Sequence, residues 1–358
     1  MIESISLRLL RLQLRTPYKL AFGPVTHFDT ILAFVNANGG QGIGEATILT
    51  GYTDETIEES WTRAQAVAGK LPGRSFETAK QSITEKMKKA PFAATALTTA
   101  IEMAEGNPAL RIAGPVHVPL LAGINATDDE GIAVEIEAAL DAGFGTLKIK
   151  AGFDLGKDLE RIGFIQKHNN GRAKLRIDAN QGYDRMEACC FAAAINPEDV
   201  ELLEQPCHSD DWDAHEAVAK VTAVPLMLDE SIYDEGDIKR AARLGASFVK
   251  LKLMKCVSLT KLVQGLELIR ELGMEPVLGN GVASDIGCWM EACVARSHIR
   301  NAGEMNGFLR QSTALAQHPL SVERGAMVLT PGGAPRLDET ALQSQTIQSA
   351  QFGKATQL

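Results

Sequence analysis

Apolar residues at every second place mark the opening of the chain. The run 5–14 alternates in this way and predicts a strand, and 30–36 predicts a second. Residues 16–23, bounded by Pro17 and Gly23, read as a loop between them, and Gly39-Gly40-Gln41-Gly42 reads as a turn into a short strand that ends near Glu45. Helical periodicity then takes over at 54–70 and 93–105. Strands followed by helices form an α+β pattern.

From Val116 onward the texture changes to alternation. Thr127, Asp128, Asp129 and Glu130 form a helix cap before an apolar-periodic run that lasts to Ala142. Strands are predicted at 146–150, 174–178, 202–204, 225–229, 248–252 and 276–279. Helices are predicted between them at 155–168, 186–196, 213–221, 236–244 and 259–272. Strand–helix alternation of this length predicts a parallel sheet with crossover helices. No Gly-x-Gly-x-x-Gly opens a helix after a strand, so dinucleotide binding is not indicated.

A polar residue stands at or just past the C-terminal end of each strand. Lys150, Asp178, Glu204, Asp229, Lys252, Asn280 and Glu304 follow one another at intervals of 23 to 28 residues. In an α/β barrel, those strand ends converge on one site. An open doubly wound sheet would gather its ligand at a single switch point instead.

The chain has 358 residues, 45% of them hydrophobic and 23% charged, which is ordinary for a globular protein with more than one core. The net charge of −9 speaks against nucleic acid as a partner and gives no basic face for anionic lipid. No apolar run is long enough to span a membrane, and residues 1–10 read as a first strand rather than a signal peptide. Six scattered cysteines without a Cys-x-x-Cys pair fit a reducing compartment, so the cytoplasm is expected.

Lys148 and Lys150 stand two apart in the strand 146–150, so both ammonium groups face the same way. Buried cations of this kind need anions opposite them. Asp178, Glu204 and Asp229 supply three carboxylates on consecutive strands, and oxygen ligands without His or Cys favour a hard ion, Mg²⁺ before Mn²⁺. Asn180 shares the face of Asp178 and is placed to orient a carboxylate. Lys252 lies on the far side of the trio in strand order, so a closed barrel sets it across the mouth from Lys150. A lysine crowded by other cations has its pKa lowered and can serve as a base. This arrangement suits abstraction of a proton next to a carboxylate, with the metal and Lys148 stabilising the enolate.

The motifs Lys148-Ile149-Lys150, Asp178-Ala179-Asn180, Glu204-Gln205-Pro206, Asp229-Glu230-Ser231 and Lys252-Leu253-Met254-Lys255 resemble the muconate-lactonizing-enzyme subgroup of the enolase superfamily. Gly42-Ile43-Gly44-Glu45-Ala46 resembles a strand end of that family's capping domain. The resemblance spans nearly the whole chain. It implies a modified (β/α) barrel under an α+β cap: residues 1–115 form most of the cap, 116–320 the barrel, and 321–358 a segment returning to the cap. It also implies Mg²⁺ on Asp178, Glu204 and Asp229, with Lys150 and Lys252 as the acid/base pair. A lysine base working beside Mg²⁺ is a general pattern of enolase-superfamily sites.

Three departures bear on the substrate. Val257-Ser258 replaces the family's glycine pair. Lys250 stands where relatives often carry Asn, and is expected deeper in the barrel. At the eighth strand, dipeptide epimerases carry an acidic pair that grips the substrate ammonium, whereas this chain reads Glu304-Met305-Asn306. Asn280 and Ser284, ending strand seven, are candidate contacts for the substrate carboxylate, and Glu304 and Asn306 for its nitrogen. Loops 17–28 and 47–53 are expected to close over the mouth, with Tyr18, Phe22 and Tyr52 as further candidate contacts and His27 as a surface residue. The expected activity is racemisation or epimerisation of an amino-acid derivative or cyclic imino acid, with dehydratase, cycloisomerase and a non-catalytic binding barrel as alternatives. The expected partner is a small-molecule carboxylate, and a homo-oligomer is the expected assembly.

Overall fold

The computed structural model describes residues 1–20, 23–50 and 53–353, with the side chains of 18–20 excepted. Three long strands open the chain, β1 (Ile2–Leu20), β2 (Gly23–Ala37) and β3 (Gly40–Ile48), followed by α1 (Ile57–Ala68), α2 (Phe76–Lys86) and α3 (Pro91–Glu105). The middle of the chain runs β4 (Val116–Pro119), β5 (Ala122–Ile124), α4 (Asp129–Asp141), β6 (Thr146–Lys150), α5 (Leu155–Asn169), β7 (Lys174–Asp178), α6 (Arg185–Ala194) and β8 (Val200–Glu204). It continues with α7 (Trp212–Val221), β9 (Leu226–Leu228), α8 (Glu235–Leu244), β10 (Phe248–Leu251), the single turn α9 (Leu253–Cys256), α10 (Leu259–Glu271), β11 (Glu275–Leu278) and α11 (Asp285–His298). The tail adds β12 (Val322–Glu323), β13 (Ala326–Leu329), α12 (Glu339–Gln345) and β14 (Thr346–Gly353).

The parallel sheet runs from β5 to β11 in sequence order. No eighth strand forms at Glu304, contrary to expectation. The extended chain at 303–304 closes the ring by single hydrogen bonds instead. The Glu304 N–H donates to the Leu278 carbonyl (3.0 Å), the Gly303 N–H to Pro119 (2.9 Å), and the Leu121 N–H to Gly303 (3.2 Å). Eight staves therefore surround the lumen, and this is the modified (β/α) barrel that the strand-end spacing predicts.

The expected loop at 16–23 is in large part strand. After an irregularity between Gln13 and Tyr18, β1 pairs on with β2 through Tyr18–Val25 and Leu20–Gly23. A bulge of this kind bends a ribbon without ending it. The antiparallel sheet has the order β14-β1-β2-β3, so the C-terminal strand returns to the N-terminal one. Part of the tail pairs elsewhere, since β13 lies beside β4.

Two separate apolar cores result. One joins the barrel staves to their outer helices, from Leu147 and Ile149 to Ile286 and Trp289. The other fills the space between the antiparallel sheet and α1–α3. Helix caps follow the sequence closely: Asp128, Asp154 and Asp234 each accept from backbone N–H groups at the start of their helices. Inside the lumen a third, small cluster of Leu202, Met227 and Val277 lies toward the N-terminal end of the staves, with Phe248 packed against it. Strand alternation sets Glu204, Asp229 and Gly279 two residues further on, toward the mouth.

Candidate active site

Each charged residue of the mouth is aimed by the pleat of its own stave. Lys148 and Lys150 come from β6, Asp178 from β7, Glu204 from β8 and Lys250 from β10, while Asp229 and Lys252 follow β9 and β10 directly. Register holds them level: Lys150 pairs with Asp178, and Asp178 with Glu204. In a ring of eight staves β6 and β10 are four apart, so Lys150 and Lys252 approach the mouth from opposite sides.

The carboxylates are buried and linked by ammonium groups. Lys148 Nζ lies 2.8 Å from Asp178 Oδ2, 2.9 Å from Glu204 Oε2 and 2.7 Å from Glu304 Oε1. Lys250 Nζ is 2.5 Å from Glu204 Oε1 and 2.7 Å from Glu304 Oε1. Lys150 donates to Asp178 Oδ2 (2.7 Å) and to Asn180 Oδ1. Lys252 Nζ lies 2.7 Å from Asp229 Oδ2, and Lys255 donates to the Asp229 carbonyl at 2.7 Å. Among the described residues, no three His, Cys, Asp or Glu side chains surround one point as a finished metal cage. The donor chemistry nonetheless fits a hard divalent cation. Asp178, Glu204 and Asp229 are oxygen donors on adjacent staves with relative exposures of 0%, 0% and 2%. Glu204 Oε2, though close to the Lys148 ammonium, accepts no well-formed hydrogen bond.

Electrostatics follow from this crowding. Burial opposes ionisation of Asp178, but the charges of Lys148, Lys150 and Lys250 outweigh it and hold its pKa below the ordinary range. Asp229 is likewise held well below, with Lys252 and Lys255 overcoming burial. Glu204 is pushed up to about 7 by burial and then by the charge of Asp178. Lys148 stays a cation, as its expected anionic partners require. Burial lowers its pKa, but Asp178, Glu204 and Glu304 raise it well above that of an ordinary lysine, so its nearest neighbours are anions rather than other cations.

The remaining candidates divide. Asn180 is at the site, donating to Glu230 Oε1 (3.0 Å) with its backbone at a positive φ of 42°. Lys148 and Lys250 share Glu304 Oε1, and the Glu304 side chain keeps 14% of its surface exposed. Ser284 is fully buried and donates to Glu45, so a substrate does not reach it. Asn280 turns its amide to Glu291 and its carbonyl to the Ala283 N–H (3.0 Å), and Asn306 donates to the Leu121 carbonyl. Both polar ends of Asn280 thus have partners within the protein. Phe22 and Tyr52 lie outside the described residues. Tyr18 is described only through its backbone in β1, and His27 lies in β2 opposite Gln13. Trp289 is a core residue of α11.

Several residues around the site have no strand-end signal. Gln205, at a positive φ of 38°, accepts from the Asp229 N–H (2.9 Å) and donates to Ser231 Oγ (2.7 Å). Asp158 Oδ2 gathers the N–H groups of Gly152, Phe153 and Asp154 and the Tyr183 hydroxyl (2.6 Å). Arg161 donates to the carbonyl of Lys150 (2.8 Å).

The chain belongs to the Enolase C-terminal domain-like family, which it matches over residues 131–339. It is 25% identical over 362 residues to the N-succinyl-L-Arg/Lys racemase of Bacillus cereus, covering 97% of this chain and 98% of the relative. It is 28% identical to the L-Ala-D/L-Glu epimerase of Bacillus subtilis, covering 79% of this chain and 82% of the relative. The fold superposes on the crystal structure of the Bacillus cereus racemase with a TM-score of 0.86 at 21% identity, covering 98% and 99% of the two chains. It also superposes, at a TM-score of 0.86 and 18% identity over 98% and 100%, on a Cytophaga hutchinsonii dipeptide epimerase complexed with Mg and D-Ala-L-Val. The family resemblance carried by the strand-end motifs is thereby borne out.

Proposed function

We propose that the protein is a Mg²⁺-dependent racemase or epimerase of an amino-acid derivative, exchanging the proton on the carbon next to a carboxylate. One observation carries this reading. Lys150 and Lys252 stand on staves four apart, each against a carboxylate of the same buried set. Two bases on opposite sides of one carbon are what inversion requires, since the proton leaves one face and returns to the other. Relatives of matching length are racemases and epimerases, which supports the same chemistry.

Asp178, Glu204 and Asp229 would hold the metal. When bound, the ion supplies positive charge against the substrate carboxylate as electron density moves onto it. Lys148, beside Asp178 and Glu204, adds a fixed positive charge at the same point. Lys150 has the more open side chain, 41% exposed against 9% for Lys252, and each takes or returns the proton on its own face. In this reading residues 1–115 with the end of the tail form the cap, β13 staying beside β4, and 116–320 form the catalytic barrel.

Glu304 narrows the substrate. Its Oε1 is shared by two lysines, which weakens its pull on a free α-ammonium. This favours a nitrogen that is acylated and neutral, as the name of the Bacillus cereus relative indicates for that protein. The test is proton NMR in D₂O with Mg²⁺ and a panel of N-acyl amino acids and dipeptides. Loss of the α-proton signal with the carbon skeleton intact is expected for the N-acyl series. An unsaturated or ketone product would replace this reading with a dehydratase. No exchange together with no Mg²⁺ binding would point to a binding barrel.

A further inference from the structure

The run Gly42-Ile43-Gly44-Glu45 takes no part in the chemistry above, yet it reaches the barrel. Gly40, Gly42 and Gly44 face Ala104, Ala100 and Ala96 of α3. A Cβ added at these glycines would stand 2.6, 1.9 and 2.0 Å from the carbonyl oxygens of those alanines. Strand and helix backbones therefore touch, and the other face of β3 is left for the barrel. Glu45, on that face, is buried. Its Oε1 accepts from the Ser284 N–H (2.5 Å), and its Oε2 accepts from the Ser284 hydroxyl (2.7 Å) and the Gly287 N–H (2.7 Å). Ser284 occupies the N-cap of α11 but makes no side-chain cap of its own. The start of α11 is capped from the antiparallel half of the molecule.

Helix α3 repeats the arrangement one helix earlier. Glu102, also buried, accepts from Ser258 Oγ (3.0 Å), the Leu259 N–H (2.7 Å), and the N–H (3.1 Å) and hydroxyl (2.7 Å) of Thr260, at the start of α10. Between these two points Met254 of α9 enters the core of α1–α3, and the Thr95 hydroxyl donates to its carbonyl (3.2 Å).

The loops so anchored, 252–258 and 279–284, are the wall around Lys252. A Cβ at Gly279 would lie 3.0 Å from Lys252 Cε, and one at Gly281 would lie 1.9 Å from Met254 Sδ. Among the described residues, the wall around Lys150 is tied within the barrel, through Asp158, Tyr183 and Arg161. We infer that Glu45 and Glu102 are positioning residues for Lys252, reaching it from the cap through the starts of α10 and α11. This rests on the two-lysine reading of the site.

The experiment uses full-length Glu45→Gln and Glu102→Gln, checked for cooperative thermal unfolding. Initial α-deuterium uptake in D₂O with Mg²⁺ is measured separately for each enantiomer of a substrate that the wild type exchanges. Lys252→Ala identifies the enantiomer that Lys252 serves. For that enantiomer the kcat of exchange should fall about 10- to 100-fold with KM retained, as misplacement of a reacting group does. The other enantiomer should exchange at the wild-type rate. Equal losses for both, or a loss confined to the enantiomer served by Lys150, overturns the inference. Should either variant fail to fold, Thr95→Val removes the milder contact to Met254 and is read by the same two rates. A wild type that exchanges neither enantiomer overturns the underlying reading and this inference with it. Symmetric losses in variants of an exchanging wild type overturn this inference alone.

Discussion

Lys150 and Lys252 face one site from walls of different construction. Around Lys150 the ties among the described residues are short-range within the barrel: Asp158 and Arg161 on α5, Asn180 two residues past Asp178, and Tyr183 at the next loop. Around Lys252 the ties cross the molecule, from Glu45 to α11 and from Glu102 to α10. Symmetry of chemical role does not require symmetry of support.

The strongest way to break the comparison is to remove each base. Lys150→Ala and Lys252→Ala should each lower racemisation by about 10³-fold, with α-proton exchange surviving for one enantiomer only, and for opposite enantiomers in the two variants. NMR in D₂O reads both rates. Identical residual exchange in the two variants would dissolve the two-sided picture.

Next in size is the seam beneath Glu45. Gly42→Val places a side chain where Cβ already stands 1.9 Å from the Ala100 carbonyl oxygen, so the strand must lift from α3. We expect a loss of about 3 kcal/mol in denaturant unfolding. A midpoint equal to the wild type would show that the close approach does not matter.

On the Lys150 side, Tyr183→Phe removes the hydroxyl that donates to Asp158 at 2.6 Å. Three backbone donors remain on that carboxylate, so the cost should be about 1 kcal/mol, measured in urea. The accompanying loss of exchange should fall on the enantiomer served by Lys150.

The last effect is one of pH, and it sharpens the Lys252 side. Glu291 is buried against Asn280, and burial raises its pKa to about 8, with Glu45 adding to the rise while Asn280, the Leu253 N–H and Lys252 oppose it. The folded state thus holds a proton on Glu291 that the unfolded state, near the ordinary 4.5, gives up. Stability from this group is present at the acid end and declines as pH rises from about 5 to about 8. Glu291→Gln should flatten that part of the Tm-against-pH curve and leave Tm near pH 5 little changed. A slope equal to the wild type would place its cause elsewhere.

What is legible in the sequence is whatever the pleat controls locally. Lys148 with Lys150, and the acids at strand ends, announce their common face by spacing of two and by their place after an apolar run. Glu304 can be placed on the ring in this way, but not its state, because its capture by Lys148 and Lys250 depends on side chains packed from staves far apart in sequence. Ser284 misleads for the same reason: its partner is Glu45, 239 residues away. The outer ribbon of β1 and β2 is hidden because Pro17 and Gly23 look like loop residues, while the pairing resumes past an irregularity that pattern alone does not show. Helix α2 is hidden because only Ala79, Ser82 and Ile83 are buried on it, too thin a stripe for periodicity to register.

The cluster of Leu202, Met227 and Val277 turns the lumen into a cul-de-sac. A lumen stopped at that depth leaves the lysines their wet side at the C-terminal ends of the staves, where the side chain of Lys150 is 41% exposed.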